Sequence, residues 1–413
     1  MRTLPQLPFV AAMLCVLAAR GGAPLPAGAT NAPAAALEAP SLQDRLHFDC
    51  RVTWRGYPEL IELDDATAGL LPAPLLPPGR AGVSDLRADL RAAPTDFLEL
   101  EIKPRYRVAY ETWRQGVRDG DGDWNNAVFV NGWLVQTRLW NQLALAYSRE
   151  DMQWGPSYLT SPSNPFRSDN GRNLPQVELP GMDFVKAVWT PSTHYSVSAL
   201  ANVDDGRANP PPLAALGAPA AVRDAVAFNR TYALKADYTG RGCTVSAVGS
   251  VRETSGPRGG AYASWNASDA VLLYGEAGGN NHGDADYLLG ASYTFLNGGA
   301  LAAEYLHNDL ASGDAAVRLA SLFATSGPGM GFFRQDYTLL QYTQRELLGR
   351  LDVVARWIHG LNDGGDRLAG EVECAVDDHI SLFADGIVDL GTRDQEFGLY
   401  LHYLALAGIK VSL

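Results

Sequence analysis

The stretch FLELEIKPRYRVAY, residues 97–110, alternates apolar and charged side chains along most of its length. Its apolar set is Leu98, Leu100, Ile102, Tyr106, Val108 and Tyr110, and its charged set is Glu99, Glu101, Lys103, Arg105 and Arg107. Successive side chains of a β-strand point to opposite faces. A period of two therefore predicts a strand with one apolar face and one charged face.

The same alternation recurs along the chain, whereas helical periodicity is scarce. It is clear in HFDCRVTWR (47–55), SDLRADLRA (84–92), GRLDVVARW (349–357) and LAGEVECAV (368–376). The run from Phe397 to Leu413 places alternate apolar residues on one face, which also predicts a strand rather than a membrane helix.

The connections between these segments alternate in length. Short, turn-like connections (92–95, near 138, 190–193, 239–242, 266–269, 296–299, 376–379) take turns with long ones (56–82, 113–126, 152–181, 204–227, 310–334). Three shorter Gly/Asp/Asn-rich loops near 278–284, 360–366 and 389–395 fit the same alternation of connections. Membrane β-barrels have short turns at the periplasmic end and long loops outside.

The predicted fold class is all-β, a transmembrane antiparallel up-and-down β-barrel of about 18 strands with both ends periplasmic. Sixteen strands also fit, because the segments 182–190 and 335–345 alternate poorly. A soluble β-sandwich or propeller would also expose only one strand face. Tyr and Trp near the strand ends and dense charge on the opposite face favour the barrel.

The N-terminus predicts export from the cytoplasm. Arg2, the apolar run LPFVAAMLCVLAA and the small residues Ala27 to Ala29 are typical of a secretory signal peptide over 1–29. We expect a short periplasmic segment at 30–45 and the barrel at 46–413. Cys50, Cys243 and Cys374 fall on apolar strand faces, where a thiol serves as a small hydrophobic side chain.

Composition excludes several classes of function. With 33 Lys and Arg against 46 Asp and Glu the net charge is −13, which disfavours nucleic acid as a partner. The seven histidines are scattered and no cysteine spacing suggests a metal, so the sequence predicts neither an enzyme nor a cofactor. Asp119, Asp121 and Asp123 have a calcium-like spacing. Trp124 replaces the glycine that such a loop needs, which favours an acidic solvated turn.

Function is expected on the charged, inward faces. The predicted pore-lining residues are Arg51, Arg87, Arg91, Glu99, Glu101, Arg105, Arg107, Arg350, Asp352, Arg356, Glu371 and Glu373. The first and last strands are neighbours across the closure, so these residues should form one continuous wall. They are either a ladder along which a polar or charged solute moves or an ion-pair network that holds the wall together.

The segment 152–181 is the second candidate. A loop of this length is usually functional or disordered, and its prolines and aromatic residues argue against simple disorder. Folded inward it would form a constriction, and packed on the surface it would only cover the barrel. The residues predicted to contact a ligand are Trp154, Tyr158, Phe166, Arg167 and Arg172.

The stretch Ser148-Arg149-Glu150-Asp151-Met152-Gln153-Trp154-Gly155 follows a strand and precedes a long loop. It resembles the Gly-Arg-x-x-x-x-Trp-Gly type of strand end in bacterial outer-membrane porin-like barrels, with Ser for the leading Gly. Alginate-export-type channels and capsule-anchoring lectin-type barrels belong to the same broad group. The final strand departs from that group, because Leu413 stands where an aromatic residue is usual.

The resemblance implies a bacterial outer-membrane location. It also implies a porin-like channel for passive passage of small polar or oligomeric solutes, which could include saccharides. The alternative is a non-conducting barrel that binds surface polysaccharide through its extracellular loops. Expected partners are outer-membrane lipid and lipopolysaccharide, the polar or saccharide solute, and the outer-membrane assembly machinery.

Overall fold

A computed structural model describes residues 48–166, 178–207, 228–253, 256–281, 283–309, 332 and 334–413. The predicted signal peptide and the segment 30–45 lie outside the described residues, and the expected barrel region enters the description at Phe48.

Eighteen antiparallel strands form one sheet. The strands are β1 (Asp49–Leu63), β2 (Arg80–Thr95), β3 (Leu98–Thr112), β4 (Gly122–Leu139), β5 (Leu143–Glu150), β6 (Met182–Trp189), β7 (Tyr195–Asp204), β8 (Thr231–Gly240), β9 (Cys243–Arg252), β10 (Gly256–Asn266), β11 (Val271–Asn280), β12 (Ala285–Thr294), β13 (Ala300–Asn308), β14 (Asp336–Leu347), β15 (Leu351–Gly360), β16 (Asp366–Ala375), β17 (Ile380–Leu390) and β18 (Leu401–Ser412). Each strand pairs with its neighbours in sequence.

The sheet closes on itself because β1 pairs with both β2 and β18. Arg55 lies opposite Lys410 across this seam. Val52 and Leu413 exchange two backbone hydrogen bonds of 3.0 and 2.8 Å. Closure pairs the backbone N–H and C=O groups of the edge strands, which an open sheet in hydrocarbon would leave unpaired. The predicted barrel of 18 strands is confirmed.

The outer surface is apolar at mid-height and aromatic at the ends of the strands. Leu234 and Leu289 point outward and are 57% and 61% exposed. Trp189, Tyr195 and Trp265 lie at the end with short turns. An apolar band between aromatic girdles is the surface that a barrel presents to a bilayer. The described strands therefore form a transmembrane β-barrel, as the sequence predicted.

The helices of the described residues are short. They are α1 (Asp65–Leu70), α2 (Glu396–Leu399) and single 3-10 turns at Ala73–Leu75 and Gly116–Arg118. Across the described ranges, every helix is too short or too polar to cross a bilayer.

The prediction of a strand from Phe397 onward was wrong at its start. Residues 396–399 form α2, and β18 begins at Leu401. Phe397 is only 1% exposed, with the guanidinium of Arg367 4.8 Å above its ring. Packing inside the barrel mouth therefore overrides the local alternation, which favours a strand.

The interior is not uniformly polar. Among the described residues, four buried apolar clusters lie inside the wall, and two of them include the segment after β5. A third cluster joins the β1–β2 connection to the seam, where Leu71 and Leu76 pack with Leu401 and Leu404. The fourth is a small one on β2 and β3. Connections that fold inward explain these clusters, because they cover wall positions that would otherwise face water.

Candidate functional site

The inner face of β1 to β3 carries most of the predicted pore-lining residues. Arg91 donates to Glu99 at 2.7 Å, and 60% of its side chain is exposed. Lys103 lies 2.6 Å from Glu101. Such exposed ion pairs are individually weak.

Arg87 and Arg107 continue this wall. Arg87 donates to Asp85 at 2.7 Å. Arg107 is 3.9 Å from Glu59 and 44% of its side chain is exposed. Arg51 is exposed near the short-turn end of β1. Arg51, Arg91 and Arg107 are therefore exposed predicted lining residues of β1 to β3, and Arg87 is partly buried.

Arg105 is buried in ion pairs, the arrangement that the network alternative describes. Its side chain is only 3% exposed, and it donates to Asp89 at 2.9 Å and to Glu178 at 2.6 Å. Glu178 belongs to the end of the connection between β5 and β6. Arg105 therefore fastens that connection to the wall.

The pKa of Glu178 is shifted downward. Burial alone would raise it, but the hydrogen bonds and the charge of Arg105 outweigh the burial and lower the pKa below its ordinary value. The carboxylate therefore stays ionised, and the contact with Arg105 persists, in mildly acidic solution.

The predicted residues of the last strands are likewise partly buried and partly exposed. Arg356 is buried and donates to Gln341 at 2.8 and 2.6 Å. Glu371 and Glu373 face inward from β16, and Glu373 pairs with Lys410. Asp352 is exposed and accepts from the backbone N–H of Glu346 at 2.8 Å. Arg350 lies in the turn before β15 rather than in the strand.

The first part of the β5–β6 connection, residues 151–166, folds into the barrel. Leu159 and Ser157 are completely buried there. Phe166 packs on Phe184 of β6 with ring centroids 4.9 Å apart, and Trp154 lies 5.6 Å from the Lys235 ammonium on β8. These residues will be called the inner loop. Arg167 and Arg172 lie outside the described residues.

Glu276 of β11 holds the inner loop through its carboxylate. Its Oε1 accepts from the hydroxyl of Ser157 at 2.6 Å, and its Oε2 accepts from those of Ser161 at 2.8 Å and Ser163 at 2.9 Å. The backbone N–H of Ser157 adds a bond of 3.2 Å. Four donors compensate a carboxylate that is only 3% exposed.

Glu304 of β13 holds the tip of the inner loop. It accepts from the backbone N–H groups of Tyr158 at 2.7 Å and Leu159 at 2.9 Å. The hydroxyl of Tyr274 donates to the same carboxylate at 2.8 Å. Tyr158 thus lies against β13, eight strands around the barrel from β5, where the loop starts.

Glycines make the close approach between loop and wall feasible. Gly155 has φ of +75°, and a Cβ there would overlap the Glu276 carboxylate. On the wall, a Cβ at Gly278 would overlap the carbonyl oxygen of Pro162, and one at Gly260 would press on Ser163. The Trp154-Gly155-Pro156 break therefore sends the chain inward along the wall.

A bulge in β4 fixes the returning end of the same connection. Lys103 pairs with Gly132 and Pro104 with Val130, so Asn131 is the extra residue. Proline cannot donate to the sheet and is found at such bulges. The Asn131 amide donates to the carbonyl of Leu179 at 3.2 Å and accepts from Arg207 at 3.0 Å.

The inner loop thus lies against the wall from β6 to β13, and the β1–β2 connection covers part of β17, β18 and β1. Exposed charged side chains remain on β2 and β3, as at Arg91 and Arg107. The sequence analysis named these residues but missed Glu276 and Glu304. Each is the single carboxylate in an otherwise uncharged or apolar stretch of strand, LLYGEAGG and LAAEYL, and that isolation was the available signal.

The acidic turn after β3 was a weaker candidate. Arg118 donates to Asp121 at 3.2 Å, and the Asp123 carboxylate accepts from the backbone N–H of Trp124 at 2.8 Å. Within the described residues, no set of three or more His, Cys, Asp or Glu side chains is arranged to hold a metal ion.

Comparison with known proteins supports the fold alone. No protein-family model and no curated protein sequence matches this chain. Among solved structures, Pseudomonas aeruginosa OccK11 (OpdR) aligns at 9% identity with a TM-score of 0.55, covering 89% of this chain and 96% of the other. P. aeruginosa OccK7 (OpdD) aligns at 12% identity with a TM-score of 0.53, covering 89% and 98%. A mutant of the Rhodopseudomonas blastica porin gives 12% identity and a TM-score of 0.43 over 89% and 100%.

Proposed function

We propose that this protein is a porin-like channel through which small polar solutes cross the outer membrane passively. The observation that carries the proposal is the row of exposed charged side chains on the inner face of β2 and β3, which includes Arg91, Lys103 and Arg107. The inner loop lies on the opposite side of the barrel and narrows the lumen that these side chains face. Charged side chains along a pore replace part of the hydration of a passing solute.

The inner loop acts as the constriction in this proposal. It is held by Glu276 and Glu304, which supports a fixed narrowing instead of a freely moving flap, and Arg105 holds the returning end of the same connection at Glu178. The aromatic residues Trp154 and Phe166 are mostly buried against the wall, so Tyr158 is the member of the predicted contact set with the better access to a solute.

Conductance in a planar lipid bilayer tests the proposal. Purified, folded protein should insert in discrete steps of constant size and pass potassium chloride in both directions. Swelling of liposomes in a series of uncharged saccharides would then give the size limit and show whether oligomers pass. Folded protein that inserts but passes no current would contradict a channel function.

A non-conducting barrel that binds surface polysaccharide is the second candidate, because apolar clusters fill part of the interior. Binding of the protein to immobilised polysaccharide without bilayer conductance would support it. Lipid and lipopolysaccharide at the apolar outer face, and the outer-membrane assembly machinery, remain the expected partners under both proposals.

A further inference from the structure

The outer face of the barrel carries two similar groups of polar and aromatic side chains, close to the strand ends that lead into the long connections. In the first group, Oδ1 of Asp336 on β14 accepts from the hydroxyl of Tyr305 at 2.6 Å and lies 2.7 Å from Nδ1 of His307. Its Oδ2 accepts from the side-chain amide of Asn362 at 3.1 Å, and Nε2 of His307 lies 3.0 Å from Asp309. The polar side-chain atoms of Asp336 and His307 are therefore all paired within the group.

The second group repeats this arrangement on the next pair of strands, but two of its polar atoms are unpaired. Oδ1 of Asp366 on β16 accepts from Nε1 of Trp357 at 2.8 Å and lies 2.8 Å from Nδ1 of His359. In the part of the chain that the structure describes, Oδ2 of Asp366 and Nε2 of His359 have no hydrogen-bond partner, and neither atom is buried. The two side chains are 31% and 29% exposed. An acceptor oxygen and a ring nitrogen are thus accessible beside an indole ring.

These side chains lie where the apolar outer surface of the barrel meets a polar one. Ile358 is buried and points into the barrel, so Trp357 and His359 on either side of it in the strand point outward. Trp357 lies directly opposite Leu340 on one neighbouring strand and Leu368 on the other, which are 41% and 44% exposed. His359, two residues closer to the strand end, begins the polar surface. Aromatic residues occupy this height in membrane barrels, where hydrocarbon gives way to lipid headgroups.

The unpaired atoms match the hydroxyl groups of a sugar. Because an ionised carboxylate only accepts hydrogen bonds, Nδ1 of His359 carries the proton toward Asp366, and Nε2 of the neutral ring is an acceptor. This nitrogen and the free carboxylate oxygen can each accept from one of two neighbouring hydroxyls. The indole of Trp357 offers an apolar surface for the C–H groups of the same sugar ring. The negative charge of Asp366 disfavours a phosphate group at this place.

We propose that Trp357, His359 and Asp366 bind the sugar headgroup of a glycolipid in the outer leaflet. The exposed side chains of Leu340 and Leu368 beside the indole contact the acyl chains of the same molecule, which favours a lipid over a soluble saccharide. The site is on the outside of the barrel, so its occupation is independent of any passage of solute through the pore.

Detergents with one alkyl chain length and different headgroups test the site. Folded protein with isotope-labelled tryptophan is kept in micelles of dodecyldimethylamine oxide, which has no sugar. The indole N–H resonance of Trp357, identified by its absence in Trp357→Phe, should shift on addition of dodecyl maltoside and reach saturation. Dodecylphosphocholine has the same chain but no hydroxyl donors, so it should need at least about tenfold higher concentration for the same shift.

Asp366→Asn tests the carboxylate while keeping the shape of the side chain. A hydrogen bond to a charged group is stronger than one to an amide, so half-saturation with dodecyl maltoside should need about tenfold more detergent. His359→Ala removes the second acceptor and should weaken binding in the same direction. The matched control is Asp336→Asn, which makes the same change in the first group and should keep the half-saturation of the wild type. Circular dichroism of each refolded variant shows that the barrel has formed.

Three results would overturn the proposal. Wild-type half-saturation in folded Asp366→Asn would show that the carboxylate does not bind the headgroup. Equal responses to the two detergents would mean that only the alkyl chain is recognised. A shift caused by free maltose at the same concentration as dodecyl maltoside would mean that the ligand is a soluble saccharide. Conductance of the same variants separates this site from the proposed channel, because loss of the site should leave the single-channel current unchanged.

Discussion

Single carboxylates decide where the inner loop lies. Glu276 and Glu304 are the single carboxylates of their strands, and each accepts hydrogen bonds from donors of the loop. A hydrogen bond to a charged group is worth about 1.5–3 kcal/mol. The loop position therefore depends on a small number of strong contacts, and each contact can be removed separately.

Replacement Glu304→Gln should loosen the tip of the inner loop. The uncharged amide accepts more weakly from the N–H groups of Tyr158 and Leu159, which should cost about 1.5–3 kcal/mol. Amide hydrogen exchange over 157–160 should then be at least about tenfold faster. Mass spectrometry of exchanged peptides measures this.

The control for that change is Asp377→Asn, in the turn between β16 and β17. Asp377 caps two backbone N–H groups of its own turn at 2.8 Å, far along the chain from the loop. Amide hydrogen exchange over 157–160 in the Asp377→Asn variant should match that of the wild type. Unchanged exchange in Glu304→Gln would show that Glu304 does not hold the loop.

The pKa of Glu178 determines how the contact between Arg105 and Glu178 responds to pH. Its pKa is lowered in the folded state by Arg105, against the effect of burial. The ordinary value is about 4.3. A lowered pKa gives stability that is complete above the ordinary value and is lost as pH falls through the folded-state value.

Hydrogen exchange at residues 178 and 179, corrected for its intrinsic pH dependence, should therefore show constant protection from pH 7 to about pH 5 and lose it only below the ordinary pKa of about 4.3. Glu178→Gln should lose the ionic part of the anchor at every pH. A wild-type profile with its midpoint near pH 6 would contradict the assignment.

At the scale of strands and loops, the sequence and the structure agree where alternation is strong. Residues 98–112 form a strand with the predicted faces. Only one orientation places the apolar side chains against lipid and the charged side chains toward the interior of the barrel. The Phe397 region and the inner loop could not be predicted in the same way. Their positions depend on contacts with distant strands, and local pattern carries no information about those contacts.

The glycines of β10 and β11 allow the inner loop to lie close to the barrel wall. Gly260 and Gly278 have no side chain, and the loop backbone occupies the space where one would be. Glycine weakens a strand interior. Its presence on this wall is therefore explained by the closeness of the loop.

Replacement Gly278→Ala should displace the inner loop from the wall, because the added methyl group would overlap the carbonyl of Pro162. Single-channel conductance should change, and its open-channel noise should rise, since the constriction is no longer held in one position. Gly259→Ala is the control, because a Cβ at Gly259 meets no atom within 4 Å. A Gly278→Ala channel with wild-type conductance and noise would show that the loop does not border the pore.

At the scale of the whole molecule, the number of strands, the closure and the outer face followed from the sequence. The sequence did not show which inward-facing side chains are exposed and which are covered by other segments. Among the predicted lining residues, Arg91 and Arg107 are exposed, whereas Arg105 and Arg356 are buried in contacts with the loop or the wall. Period-two patterning places a side chain inside the barrel but does not tell whether water or another segment meets it.

This division predicts which inner positions a water-soluble reagent reaches. In a background with every cysteine replaced, Arg91→Cys and Arg107→Cys should react rapidly with a charged methanethiosulfonate and change the current. Ser246→Cys on β9 should react at least about a hundredfold more slowly, because Ser246 is 1% exposed and hydrogen-bonded to Asp237 on the side lined by the inner loop. Reaction of all three at one rate would mean that the lumen is open all round. Block of Arg91→Cys alone would place the narrow part of the pore near the short-turn end.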